Sequence, residues 1–364
     1  MQKFLIVFFV LFSFAQSSSA QDKFNSQIWN RKNHERGTGQ VDKEPWYEWW
    51  YYKIILPKSD DAFYFVYGIV NPWDIERGSE ASRATVEAGD FKNKFIINKV
   101  YTPAEYYSAY NKTHVEIGSH LATDKNIKGR MVNARGQKIA WDFTIEKLWR
   151  WNAMGWMMPT GITNISWYPA QADARCTGWI SSNGRRKLFS KVPCYQDRNW
   201  GTSLPKWWTW IVSNKFENSP QTALAIGGGQ PITFGNIHRL ASVTVGFKYK
   251  GKVYDWRPNN LDQIKMNISF GKWEVVAKSL LYKIEVSAYA PREEFMDLEF
   301  MGPDGVVFHD YEALRGDLTV KFYKMSPRGW QLVEELNSQH AGIEYGSRDT
   351  YEMQSLFNSY RTLY

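Results

Sequence analysis

Cysteine and histidine are scarce in this chain of 364 residues, which holds two of the first and six of the second. None of the histidines is paired at i, i+4, so zinc-ligand spacing is missing. His114-Val115-Glu116 and Pro193-Cys194 are fragments of a zinc-deaminase pattern without its second cysteine. Gly227–Gly229 follows a strand-like "TALAI" but lacks the dinucleotide fingerprint, and reads as a bulge or a site of close packing. Ser269 to Lys272 spells S-x-x-K on a predicted hairpin, a chance match rather than a nucleophile. A nucleophile elbow and a phosphate loop are both absent. The chemistry open to this chain is therefore acid-based and metal-free, or there is none; no metal and no cofactor is expected.

Long apolar runs are also lacking. The one at the N-terminus, Phe4 to Ala15, is too short to span a bilayer, and no later stretch reaches about 18 apolar residues. With Lys3 before it and Ser18-Ser19-Ala20 after it, that run has the order of a secretory signal peptide. Residues 1–20 are read as that signal, and the protein as exported, either periplasmic or secreted. No integral membrane span is expected, which leaves room for transient contact with a membrane surface. The formal net charge of +8 is spread thinly. Its densest cluster, "GRRK" at Gly184–Lys187, reads as a solvated turn, so nucleic acid is not an expected partner.

Helical periodicity is weak too. Only "TYEMQSLFNSYRTLY" at the C-terminus, with Met353, Leu356, Phe357 and Tyr360, has the spacing of a short amphipathic helix. What the chain has in plenty is strands. "WWYYKIIL" and "AFYFVYGIV" flank the turn Pro57–Asp61. "SVTVGFKY" and "KVYDW" flank Lys250-Gly251, "KWEVVAK" precedes "LYKIEVSAYA", and "LTVKFYKM" is joined to "WQLVEEL" by Ser326–Gly329. Many short strands with regular turns predict an all-β protein of sandwiches or barrels. The 344 residues after the signal exceed what one core usually organises, so two antiparallel β-barrels are expected. Closed sheets can also enclose an apolar ligand cavity.

Cys176 and Cys194 flank "SSNGRR" (Ser181–Arg186), a predicted hairpin tip, at equal distances from Arg185. A disulfide between them is possible in an oxidising compartment, and register decides it. Just beyond lies "YQDRNWGTSLPKWWTWIV" (Tyr195–Val212), with one carboxylate and four of the chain's 18 tryptophans. An acid among indoles is an acid that burial can keep protonated. The alternation of a strand sends Trp208 and Trp210 to one face and Trp207 to the other.

Several ordered stretches resemble the tocopherol cyclases. "EWWYYKIILPKSDDAFYFVYGIVNP" (Glu48–Pro72) resembles their opening strands. "GWMMPTGITNISWYPAQADARCTGWISSNG" (Gly155–Gly184) is similar to their middle section, with Trp156, Trp167 and Gly178-Trp179-Ile180 at matching places. "YQDRNWG" matches their Tyr-x-acid-x-Asn-Trp-Gly motif, and "ALAIGGG", "YKGKVYDWRP" and "HAGIEYG" continue in order. The Asn-Trp-Gly motif is shared with carotenoid 1,2-hydratases and lipocalin-like fungal Diels–Alderases. The resemblance implies two tandem lipocalin-like barrels with a cavity near their junction, and a lipophilic small molecule of the prenylquinol or polyene type as partner. Expected boundaries are a flexible arm at 21–45, barrels at 46–191 and 192–346, and a C-terminal tail or helix at 347–364.

The resemblance further implies protonation of a double bond in a prenyl tail, followed by closure of a phenol oxygen on the carbocation. Asp197 takes the acid position of the motif, and Tyr195 and Glu48 are the other candidate catalytic residues. Trp50, Trp156, Asn199, Trp200, Trp208 and Trp210 are candidates for substrate contact, the indoles through cation–π attraction. Each has a structural alternative: Asp197 as a turn cap or partner of Arg198, Glu48 in an ion pair, Asn199 fixing a turn, each Trp in a core. Three functions stay open: a cyclase-like enzyme, a non-catalytic exported carrier of a lipophilic ligand, and a hydratase- or pericyclase-like enzyme.

Overall fold

The computed structural model describes residues 45–72, 78, 81–109, 112–158, 162–232, 241–269 and 271–349, with the backbone of 361–363. The expected signal peptide and nearly all of the expected arm lie outside this set. So does most of the predicted C-terminal helix, of which only Arg361–Leu363 is described, as a strand.

The first sheet has eleven strands: β1 (Tyr47–Leu56), β2 (Asp61–Val70), β3 (Arg83–Asp90), β4 (Phe95–Tyr101), β5 (Tyr106–Ser108), β6 (His114–Ile117), β7 (His120–Thr123), β8 (Asn126–Val132), β9 (Lys138–Trp149), β10 (Ile165–Ser182) and β11 (Arg185–Gly201). Their order is β4-β3-β2-β1-β11-β10-β9-β8-β7-β6-β5, and β3 and β4 curl back against β6 and β8. The second sheet holds β12 (Trp207–Ser213), β13 (Ala223–Gly229), β14 (Ser242–Tyr249), β15 (Lys252–Trp256), β16 (Gln263–Ser269), β17 (Lys272–Lys278), β18 (Tyr282–Tyr289), β19 (Met296–Met301), β20 (Val307–Ser326), β21 (Gly329–Ser347) and β22 (Arg361–Leu363). Its order is β15-β14-β13-β12-β21-β20-β18-β17-β16-β22, with β19 on the far part of β20. Every pairing is antiparallel, so the expected pair of lipocalin-like barrels is the fold.

The four hairpins foreseen at Pro57–Asp61, Lys250-Gly251, 279–281 and Ser326–Gly329 are all present. Asn183 and Gly184 both take positive φ, 47° and 82°, and make the two-residue turn between β10 and β11. The expected division at 191/192 falls inside β11. The chain changes sheet between Gly201 and Trp207, because Cys194–Gly201 is paired on both sides, with β1 and with β10.

β1 and β2 are buried along their whole lengths, which is why they read as continuous aromatic runs rather than alternating ones. On β1, Trp50, Tyr52, Ile54 and Leu56 point into the first sheet's own core. Tyr47, Trp49, Tyr51 and Ile55 point the other way, into a seam where both sheets meet. Cys176 and Cys194 lie in the first core and form a disulfide, with Cα atoms 5.9 Å apart. They are diagonal rather than opposite, since Cys176 pairs with Val192 and Ala174 with Cys194 after register shifts in β10.

Candidate functional site

The seam opens into a cavity of about 670 Å³, lined from both sheets. This volume is in the range that holds a drug-sized ligand. Most of the lining is apolar: Trp49, Ile165, Trp167, Trp208, Trp210 and Phe300 stand among the wall residues. Glycines let the indoles lie flat on backbone. A Cβ on Gly227 would fall 2.6 Å from the Trp167 ring, and one on Gly342 would fall 2.3 Å from that of Trp210. The Gly227–Gly229 run is thus a place of close packing on an ordinary strand.

Asp197 belongs to this wall. It sits on β11 opposite Tyr51 of β1 and is 4% exposed. Trp167 Nε1 donates to its Oδ2 at 2.8 Å, and the Tyr195 hydroxyl donates to the same oxygen at 2.9 Å. Trp210 Nε1 donates in turn to the Tyr195 oxygen at 3.2 Å, which orients the phenol. Oδ1 has no hydrogen-bond partner among the described residues. Burial is the largest influence on this carboxyl and pushes its pKa up to about 7, against the weaker lowering by the two donors. A buried acid is thus held on one oxygen and free on the other.

The alternation of β11 sorts the remaining candidates. Asn199 shares the face of Asp197 and lines the cavity, as do Trp208 and Trp210 on β12. Trp207 faces the second sheet's core, as the strand period predicts. Arg198 and Trp200 point away from Asp197. Trp200 packs with Trp46, Met158 and Tyr168, so the two-residue period turns this candidate for substrate contact away from Asp197 and the cavity. Trp50 fills the first core and Trp156 is 60% exposed, and neither is among the cavity residues. Arg198 does not engage Asp197. Its Nη2 lies 2.5 Å from Glu48 Oε1, and its guanidinium stacks over Trp200 at 4.4 Å and Trp50 at 5.6 Å. Glu48 is likewise 1% exposed and pushed up to about 7 by burial, with Arg198 opposing that rise.

Sequence reasoning did not single out the acids that the second sheet brings. Asp310 and Glu312 lie on β20 and Glu344 on β21, directly opposite Glu312, with ligand atoms of all three within 4.8 Å of one another. Asp310 and Glu344 line the cavity with Asp197. Tyr51 donates its hydroxyl proton to Glu312 Oε1 across the seam. Lys53, 3% exposed, donates to the carbonyl of His340 at 3.1 Å, and burial lowers its pKa to about 7. Burial raises all three acids, Glu312 to about 8. Indole and phenol donors already occupy Asp310 and Glu312, a donor set that suits shared protons better than a metal ion. Asp297, Glu299 and His309 form a second, more exposed group of potential ligands.

Two curled antiparallel sheets, stacked on a seam with an aromatic, acid-bearing cavity, define a tandem lipocalin-like protein. The chain belongs to the tocopherol cyclase-like family, whose profile matches residues 80–347. It is 24% identical over 371 aligned positions to a protein of Oryza sativa subsp. japonica named probable tocopherol cyclase, chloroplastic, covering 86% of this chain and 77% of that one. Tocopherol cyclase, chloroplastic, of Zea mays is 22% identical, with 83% and 75% covered. Among solved structures, CghA with Sch210972 superposes with a TM-score of 0.51 at 11% identity, covering 83% of this chain and 88% of that one, a likeness of fold. No helix among the described residues is long and apolar enough to cross a membrane.

Proposed function

We propose that this chain is an exported cyclase-like enzyme that protonates a double bond in the tail of a prenylated quinol or similar lipid. One observation carries this reading. Asp197 is buried in the wall of an indole-lined cavity, held at Oδ2 by Trp167 and Tyr195, and without a hydrogen-bond partner at Oδ1 among the described residues. A carboxyl near pKa 7 is still substantially protonated at neutral pH and can give up that proton. In the proposed reaction the Asp197 proton forms a new C–H bond and leaves a tertiary carbocation. The phenol oxygen then closes the ring on that carbon and loses its own proton. The faces of Trp49, Trp167, Trp208 and Trp210 offer the cation about 2 kcal/mol or more of stabilisation each when desolvated. Export is supported by the signal-like N-terminus and by the Cys176–Cys194 disulfide, a bond that persists in oxidising compartments.

The test is Asp197→Asn assayed with a prenylated 1,4-benzoquinol. Turnover should fall at least about 100-fold, while affinity for the quinol stays within about twofold, since a loss confined to the transition state spares binding. Wild-type protein that binds the probe without forming a chroman would favour the second reading, a carrier, for which the cavity alone is sufficient. A parallel loss of binding and rate would mean that Asp197 only organises the wall.

A further inference from the structure

The reaction proposed above uses one acid, yet the cavity has a second acidic pole. Asp310 and Glu344 stand on the wall given by the second sheet, whereas Asp197 stands on the wall given by the first. Asp310 is 2% exposed, and Trp208 Nε1 donates to its Oδ1 at 2.9 Å. Asp310 and Glu344 also stand close together, with a carboxylate oxygen of each within 4.8 Å of the other and of one from Glu312. Two carboxyls in such contact cannot both ionise, so they share a proton. Asp310 receives the Trp208 indole N–H, which favours its ionised form and makes it the acceptor of the pair. Around the pair stand Glu312, Asp297 and Asp197, with Lys53 against Glu312 as the nearby cation.

Addition of a proton and an oxygen across a double bond needs a proton donor at one carbon and a group to take the proton of the oxygen nucleophile at the other. We propose that Asp310, held by Glu344 and Trp208, accepts the phenolic O–H of the ligand. It does so as a hydrogen bond in the resting complex and as a proton acceptor during ring closure. As the C–O bond forms, the O–H bond breaks and its proton passes to Asp310. Asp197, ionised by the first transfer, regains a proton from solvent when product leaves, and the Asp310–Glu344 pair returns one. This assignment rests on the reading of the ligand as a phenolic lipid, and it separates from the claim of turnover because it also governs binding.

Two inert probes test it: a benzoquinol with a fully saturated isoprenoid tail, and the dimethyl ether of the same compound. Neither can be protonated at an alkene. Wild-type protein should bind the quinol about tenfold or more tighter than the ether, the effect of a hydrogen bond to a charged acceptor. Asp310→Asn should shrink that preference to about twofold. Asp197→Asn should keep it, and so should Glu344→Gln, which leaves Asp310 and its Trp208 donor in place. If Asp310→Asn does not fold, Asp310→Glu, which moves the carboxylate by one methylene, should reduce the preference instead. Equal affinities in wild type, or a preference that survives Asp310→Asn, would overturn the assignment. A preference without turnover of an unsaturated quinol would sink the enzymatic reading and Asp310 as proton acceptor, and leave its hydrogen bond to the ligand standing. Turnover without a preference would do the reverse.

Discussion

Two buried acids on paired strands, Glu48 of β1 and Asp197 of β11, reach the same elevated pKa of about 7 in opposite surroundings. Glu48 faces the first sheet's interior side and meets a guanidinium clamped between Trp50 and Trp200. Asp197 faces the seam, has only neutral donors, and borders empty space. A raised pKa alone therefore does not mark a site. What separates the two is position: a carboxyl with an unpartnered oxygen in a cavity wall in one case, a closed ion pair in the other.

The largest expected effect breaks the closed pair. Glu48→Gln leaves Arg198 charged and buried without its partner, and should cost about 3–5 kcal/mol of unfolding free energy in a urea titration. If the loss is under about 1 kcal/mol, the pair is not the structural member of this comparison.

Asp197→Asn should act in the opposite sense, and only at high pH. Folding raises the Asp197 pKa from 3.8 to about 7, so between these values the folded chain binds more protons than the unfolded one. Its contribution therefore falls as pH rises through that window, and above it the ionised carboxylate is a burden. At about 1.4 kcal/mol per unit, Asp197→Asn should be more stable than wild type by up to about 4 kcal/mol at pH 8 and close to it at pH 4. Thermal melts at the two pH values check this, and a variant less stable at both would contradict it.

The smallest effect sharpens the contrast from within the site. Trp167→Phe keeps an aromatic wall but removes the N–H that donates to Asp197 Oδ2 at 2.8 Å. That donor favours the ionised form, so its loss should raise the Asp197 pKa by about one unit. The alkaline limb of the pH–rate profile should move up with it, and an unmoved limb would mean that another group titrates.

The fold was legible in the strands and turns, and Asp197 in its motif. The second acidic pole was not, and the reason is physical. "VFHDYEALRG" alternates, with Asp310 and Glu312 at positions that a lone sheet would show to water. Nothing in a two-residue period says that another sheet covers that outer face. Trp167 appeared only as a landmark of the resemblance, since its N–H bond to Asp197 joins β10 to β11 across a bulged register. Glu344 stood unremarked inside "HAGIEYG" for the same reason as Asp310. Trp50 and Trp200 were grouped with the cavity because an aromatic residue on a strand buried on both faces carries no mark of which side holds the ligand.

The seam also sets when the site can exist during folding. Tyr51 reaches Glu312 across 261 residues of chain, and Lys53 reaches the His340 carbonyl across 287. Each sheet is closed by one distant pairing, β1 with β11 and β12 with β21, but every strand in it comes from its own stretch of chain, so it can form without contacts to the other sheet. The cavity cannot, because its walls come from both. Until the second sheet docks, Asp197 is wet, keeps an ordinary carboxylate pKa, and has no proton to give at neutral pH. A carboxyl that keeps its proton at neutral pH is thus withheld from the nascent chain and appears only with the last tertiary contacts.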